Sequence, residues 1–447
     1  MTTADNVPLS VRDEVLAIAA SCNRFGLCIS TCPTYVLTQQ ENESPRGRIE
    51  LVRRMFEKSG RPDAETVAHI DSCLSCLACT TTCGVPVDYM HLIDRARAHV
   101  EANYQRPVGE RVLRALVAAL VPRPWLFGLT LRAARPLKRL ARWLPKRLKP
   151  LVDLVPAQYP PRSEPMIPGT YAAEGARRAR VMLVPGCAQQ VLAPSINAAT
   201  VRLLRRTGCE VVVPKGFSCC GSLTLHMGRH RQAQQSAQVL VAALRATEAA
   251  EAIDAIVINA SGCGSTVKDY GHLLGNSPAF AVGGRRVGQL AVDVTEYLAR
   301  IGLPAPLPNR TLAVAYHDAC SLRNRQRVTA QPRALLAAAG FAVQNIPESH
   351  LCCGSAGTYN LLQPAAARLL GERKAAHIAL TDAAVVAVGN IGCITQLARY
   401  CDRPVIHTVE LLDWATGGPK PASIAHIDPC PAIVHTAEQL PSEEAIW

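Results

Sequence analysis

Between residues 181 and 401 one cysteine-bearing unit is written twice, and this duplication limits what the chain can become. The first copy carries Cys187, then Cys219 and Cys220 ahead of Gly221, then Cys263 between two glycines. The second carries Cys320, then Cys352 and Cys353 ahead of Gly354, then Cys393 between Gly392 and Ile394. In both copies 31 residues separate the first cysteine from the pair, and 42 or 39 separate the pair from the last cysteine. Two matched quartets in one chain are hard to explain except as two metal sites.

The apolar runs around these cysteines repeat as well. Val181 to Val184 and Leu312 to Ala315 read as short strands that stop just before the first cysteine. A helix is expected after each, Ile196 to Thr207 and Pro332 to Ala339, ended by Gly208 and Gly340. Apolar segments follow at 210–213 and 342–345, then the cysteine pair, a longer helix, and a third strand at 255–258 or 384–388. Alternating strand and helix predicts a small parallel α/β layer in each copy. Because every cysteine follows a strand end, folding gathers them along one sheet edge. Each quartet suits one four-iron cluster, with mononuclear zinc and redox-active free thiols as competing accounts. His317 and His350 lie near second-copy ligands and are expected as hydrogen-bonding neighbours. Cys209, Cys401 and Cys430 have no counterpart in the paired pattern and are expected as buried structural thiols.

The redox setting follows from the rest of the chain. Eighteen cysteines in 447 residues could mean disulfides, but the first 20 residues lack a basic start followed by an apolar run. No uninterrupted apolar stretch of about 18 residues reads as a membrane span. Clustered cysteines in a cytoplasmic setting point to metal ligands before disulfides.

Residues 73–83 read Cys-Leu-Ser-Cys-Leu-Ala-Cys-Thr-Thr-Thr-Cys, the C-x2-C-x2-C-x3-C spacing of bacterial ferredoxins. There, three thiolates serve one cluster and the fourth serves its neighbour. Zinc also uses Cys-x2-Cys pairs, but seldom a run of four. An earlier run supplies Cys22, Cys28, Cys32 and Pro33, with Phe25 where the second cysteine belongs. Crossing the fourth ligands gives one complete site, Cys73, Cys76, Cys79 and Cys32. The other has only Cys22, Cys28 and Cys83. Phenylalanine cannot ligate iron, so that site can hold a three-iron cluster, a four-iron cluster with a non-cysteine ligand, or nothing; a cluster lacking one iron is favoured. Helices are expected from about residue 44 to 56, with Pro45 near the first turn, and from after Val87 to Tyr104.

The net charge of +13 is concentrated in one place: residues 106–149 carry +11 of it. Prolines and leucines alternate there with arginines, and Trp125 and Trp143 add aromatic bulk. Such a segment can lie on an anionic membrane surface, or pack on its own protein or a partner subunit. No recognition motif accompanies the charge, so nucleic acid is not an expected partner.

Together these residues resemble the iron–sulfur subunits of bacterial glycolate oxidase (glycolate dehydrogenase). The resemblance runs from about Ser21 to Trp414. It rests on Cys-Pro-Thr-Tyr at 32–35, Ser-Pro-Arg-Gly-Arg-Ile at 44–49, the run at 73–83, His-Leu-Ile-Asp at 91–94 and Val-Pro-Arg-Pro at 121–124. It continues through Gly-Cys-Ala-Gln at 186–189, Ala-Ser-Gly-Cys-Gly at 260–264, the segment 349–359 and Asn-Ile-Gly-Cys at 390–393. The resemblance implies an oxidoreductase acting on CH-OH donors, whose FAD-binding partner subunits oxidise glycolate and whose electrons leave towards a membrane quinone. It implies cytoplasmic placement, with peripheral contact at the inner face of the membrane. This chain shows no G-x-G-x-x-G and no P-loop, so no nucleotide site and no catalytic acid or base is expected on it.

The expected fold is α+β. Residues 1–104 form an α-helical ferredoxin domain and 105–177 a basic, proline-rich helical connector. Residues 178–300 and 301–414 are the two α/β Cys-Cys-Gly halves, and 415–447 a loosely ordered tail. Two rival functions remain: thiol–disulfide catalysis of the heterodisulfide-reductase kind, and a lactate-type 2-hydroxy acid oxidation complex. The first is weakened because each half ends in one cysteine where such reductases carry Cys-x2-Cys.

Overall fold

The computed structural model of the chain describes residues 11–57, 62–139, 166–310 and 312–428. Its N-terminal part is helical. Pro33 and Pro45 each occupy the first helical position of Pro33–Thr38 and Pro45–Glu57, where a missing N–H costs nothing. The Asp63 side chain accepts from the Thr66 N–H to start Ala64–Asp71. Ile49, Val52 and Phe56 on one helix meet Leu92, Ile93, Ala96 and Val100 on Tyr89–Asn103, both at three- and four-residue spacing. Gly47 is required there, because a Cβ would lie 2.0 Å from the Glu41 carbonyl oxygen.

Two connector helices follow, Val108–Leu120 and Pro124–Arg139. Their polarity is partly inverted. Arg106 and Arg114 turn inward to Asp71, at 3.0 Å for Arg114, while Val108, Val112, Leu116, Trp125 and Leu129 face solvent.

Among the described residues the α/β part holds nine strands in two sheets. In the first, β1 (Gly169–Tyr171), β2 (Ala179–Val184), β3 (Cys209–Val213), β4 (Ala255–Ile258) and β5 (Ala291–Asp293) take the order β1-β3-β2-β4-β5. In the second, β6 (Ala313–His317), β7 (Ala342–Asn345), β8 (Val385–Val388) and β9 (Val405–His407) take the order β7-β6-β8-β9. Only β1 runs antiparallel. β1, β5 and β9 are absent from the sequence reading, since three residues carry too little period to be seen.

The two sheets share one apolar core. Val181, Leu183 and Val257 pack with Val314, Val385 and Trp414 in a single cluster. Across it, Arg202 and Arg206 on Pro194–Arg206 converge on the buried Asp413 of Thr408–Ala415. Within the expected tail, Ala415, Thr416 and Ile424 are buried, Ile424 fully in the shared core, while Gly417, Ala422 and Ala425 are exposed; residues 429–447 lie outside the described residues.

Candidate metal centres

Every cysteine among the described residues is a free thiol. Fifteen of the predicted ligands come together in four groups.

Cys76 lies near Cys32 and Cys73, and Cys79 near all three, so the sulfurs of the crossed set lie together. These sulfurs line one pocket with Arg48 and Tyr89. Cys28 lies near Cys83 and Cys22, and burial followed by those neighbours pushes its thiol up to about 11. Phe25, which stands in for the missing ligand, is 75% exposed on a loop where Arg24 and Gly26 take positive φ.

In the first α/β half Cys219 accepts from Cys187 and Cys220, and Cys220 meets Cys263. In the second, Cys320 lies 3.8 Å from Cys352, Cys352 meets Cys353, and Cys353 meets Cys393. The glycine after each pair makes this possible. Gly221 and Gly354 take φ +84° and +86°, and a Cβ would stand 2.9 or 2.6 Å from the carbonyl oxygen of Ala233 or Ala367. The turn brings the Gly221 N–H to 3.4 Å from the Cys219 sulfur.

The remaining expectations divide. Cys209 is fully buried and meets Thr207 Oγ1 at 3.4 Å and Tyr297 Oη at 3.6 Å. Cys401 is only half-buried, which corrects its reading as a buried thiol; Cys430 lies outside the described residues. His350 is half-buried. His317 is buried, yet its Nδ1 has no hydrogen-bond partner among the described residues, against the expectation of a hydrogen-bonding neighbour.

The donor set fits iron–sulfur clusters. Burial, joined by neighbouring sulfurs, pushes the thiols of Cys76 and Cys79 well above the usual range. Cys353 rises likewise: its hydrogen bond with Cys352 opposes the shift, and its bond with Cys393 and burial outweigh that. Crowded soft donors that water cannot stabilise as thiolates are stabilised in that form by a soft metal centre. Sulfur-directed donors are already placed: Ser75 N–H to Cys73 at 3.4 Å, Tyr89 Oη at 3.6 Å from the same sulfur, and Asn390 Nδ2 to Cys393 at 3.4 Å.

From the sequence, the arginines that open the helix at 44–56 could face the clusters, but solvent exposure is the usual case; Arg48 takes the first course. Its guanidinium is 1% exposed and donates to the Glu43 carbonyl at 2.7 Å, Ser72 Oγ at 2.8 Å and Thr34 Oγ1 at 3.0 Å, with Cys32 Sγ at 3.9 Å. Burial opposes its charge, yet the surrounding Cys73, Tyr89, Cys32 and Glu43 drive its pKa upward. A fixed cation is thus held beside a site whose thiolates carry negative charge. The signal was present, since Arg48 lies in the motif at 44–49, but arginines are ordinarily solvent-exposed.

Three of the groups border one another, and the fourth is reached through a loop contact. Cys28 borders Cys79 and Cys32. Cys76 borders Cys320 and Cys352, with Asn324 Nδ2 donating to the Cys76 carbonyl at 2.8 Å. The loops of the two halves then meet through Ser261 and Ser321, whose hydroxyls are 2.7 Å apart. A second bridge joins the ferredoxin domain to the first half: His91 Nε2 lies 3.0 Å from Asp269, beside Asp88, and stacks on His272 at 3.6 Å.

The family description "4Fe-4S dicluster domain" matches residues 18–87, and "Cysteine-rich domain" matches 181–268 and 314–398. The glycolate oxidase iron-sulfur subunit of Escherichia coli is 35% identical over 90% of this chain and 95% of its own length. The probable glycolate oxidase iron-sulfur subunit of Bacillus subtilis is 30% identical over 89% and 94%. Lactate utilization protein A of Bacillus licheniformis is 26% identical over 52% of this chain and 99% of its own length. A crystal structure of a hypothetical protein from Helicobacter pylori shares the fold, with a TM-score of 0.52 at 10% identity, over 93% of this chain and 74% of that one.

Proposed function

The chain belongs to the family of glycolate oxidase iron–sulfur subunits, and from that premise we propose that it is the electron-transfer subunit of a complex oxidising glycolate to glyoxylate. The oxidation itself falls to FAD-binding partner subunits, and a membrane quinone is the final acceptor. Iron–sulfur clusters supply one-electron storage when bound. Cys73, Cys76, Cys79 and Cys32 would hold a four-iron cluster, and Cys22, Cys28 and Cys83 a three-iron one. Cys187, Cys219, Cys220 and Cys263 would hold a third cluster, and Cys320, Cys352, Cys353 and Cys393 a fourth.

One observation supports the reading: thiol groups border one another from Cys28 through Cys79 and Cys76 to Cys352, and the second-half loop meets the first-half loop at Ser321 and Ser261. The protein's own work is to bury those groups, to aim N–H and O–H donors at their sulfurs, and to fix Arg48 beside Cys32. Each adjusts how easily an electron is held.

The apolar stripe of Val108, Val112 and Leu116, with Arg111 exposed beside it, supports contact of the connector with an anionic membrane surface. No helix among the described residues is long and apolar enough to cross a membrane; residues 140–149 of that segment lie outside them.

The test is reduction of a dye by glycolate with the chain co-purified with its flavin subunits and by the chain alone. Dependence on both components is expected. Disulfide turnover by the isolated chain with a chemical reductant would contradict the reading, and preference for lactate would redirect its substrate.

A further inference from the structure

We propose that His317 Nδ1 ligates iron in the second half, giving that half a mixed imidazole–thiolate donor set while the first half offers thiolates alone. The inference rests on the reading that Cys320, Cys352, Cys353 and Cys393 hold a cluster.

Three observations carry it. His317 is 1% exposed, and its Nδ1 is an orphaned buried atom among the described residues. Such an atom is costly unless something absent from the polypeptide satisfies it. A ring nitrogen of His317 and the sulfurs of Cys353 and Cys393 all lie within 4.8 Å of one another. That is the spacing of donors around a common metal, and the three belong to different strand ends brought together only by the fold. The third observation is the missing counterpart. His317 pairs with Val388 at the end of β8 as Val184 pairs with Ile258 at the end of β4. The backbone of the two halves is therefore matched at this position, and a buried valine replaces the imidazole in the first.

The second half differs again in the same direction. Gly354 meets Ala367 and Leu370 as Gly221 meets Ala233 and Ser236, so Lys374 corresponds to Leu240. Lys374 is 2% exposed; burial lowers its pKa, and the nearby Cys353 and Cys352 oppose that loss of charge. A neutral nitrogen donor and a nearby cation both favour the reduced state of a cluster, as histidine does where it replaces cysteine in Rieske centres. The second half would then accept electrons more readily than the first.

The full chain, purified anaerobically with 14N- or 15N-histidine, would be reduced and read by pulsed spin resonance. A strong nitrogen coupling that changes with the isotope is expected, lost in both His317→Ala and His317→Cys. His317→Cys keeps the iron and acid-labile sulfide and shifts the second-half potential downward; a merely structural histidine would leave the nitrogen spectrum unchanged. Wild-type nitrogen coupling persisting in His317→Cys, or none in the wild type with second-half iron in place, overturns the assignment alone. A triple Cys352→Ser, Cys353→Ser, Cys393→Ser variant separates the two levels. If it retains the full iron and sulfide complement, the reading of a second-half cluster fails, and the assignment fails with it.

Discussion

The two Cys-Cys-Gly halves share the order of four parallel strands and the left-handed glycine after each cysteine pair, yet they are not chemically equivalent. The first sets Tyr270 beside its thiols and meets the ferredoxin domain through the His91–Asp269 bridge and the pairs Arg229–Glu101 and His226–Asp94. The second buries His317 and Lys374 beside its thiols and lies against the Cys76 loop itself. Duplication preserved the frame that gathers four sulfurs, and divergence acted on the side chains that set the charge around them. A copied fold therefore need not be a copied electron carrier.

The largest expected effect comes from breaking that asymmetry of position. Replacing Cys352, Cys353 and Cys393 by serine should bring glycolate-dependent dye reduction by the complex to background, because it is the second half whose thiols border the ferredoxin thiol Cys76. The corresponding change at Cys219, Cys220 and Cys263 should leave spin-resonance signals of the ferredoxin domain and second half reducible by glycolate. Equal loss of all signals in both variants would remove the distinction.

Next in size is the shared glycine. Gly354→Ala and Gly221→Ala should each destabilise by about 2–3 kcal/mol, from left-handed strain and the Cβ clash together. Gly354→Ala should be the worse, since its carbonyl neighbour is closer, at 2.6 against 2.9 Å. Denaturant midpoints of the full chain read this directly.

The bridge to the first half should depend on pH. Burial opposes the imidazolium of His91, but hydrogen bonds to Asp269 and Asp88 outweigh it and raise the pKa from 6.5 to about 9. A raised folded-state pKa means this contribution is fully present below pH 6.5 and lost as pH rises through 9. With solvent screening allowed for, it is on the order of 1–2 kcal/mol. Asp269→Asn should flatten the decline in stability between those values; an unchanged profile would refute the bridge.

The smallest expected effect is a modest downward shift of the second-half potential in Lys374→Met, with iron content unchanged. Leu240→Met in the first half should leave its potential where it was.

Much of this was legible in the sequence because ligand spacing is a local property. The crossed pairing of Cys32 with Cys73, Cys76 and Cys79, and the strands ending before Cys187 and Cys320, follow from residue intervals and from a period of two or four. What escaped depends on contacts between distant segments. Nothing near Arg48 in the chain announces that Glu43, Thr34 and Ser72 will enclose it. The orphaned nitrogen of His317 exists only because β8 and the Cys352 loop close over it. The inward turn of Arg106 and Arg114 likewise needs Asp71, which belongs to another helix. Composition marked the connector as basic, but not which of its faces would meet solvent.

The most direct test is the iron and acid-labile sulfide content of the full chain, purified without oxygen alongside its flavin subunits. Brown protein with sulfide in proportion to iron, and a spin-resonance signal from each of the four thiol groups, is the predicted result. Colourless protein carrying zinc and no acid-labile sulfide would contradict the account.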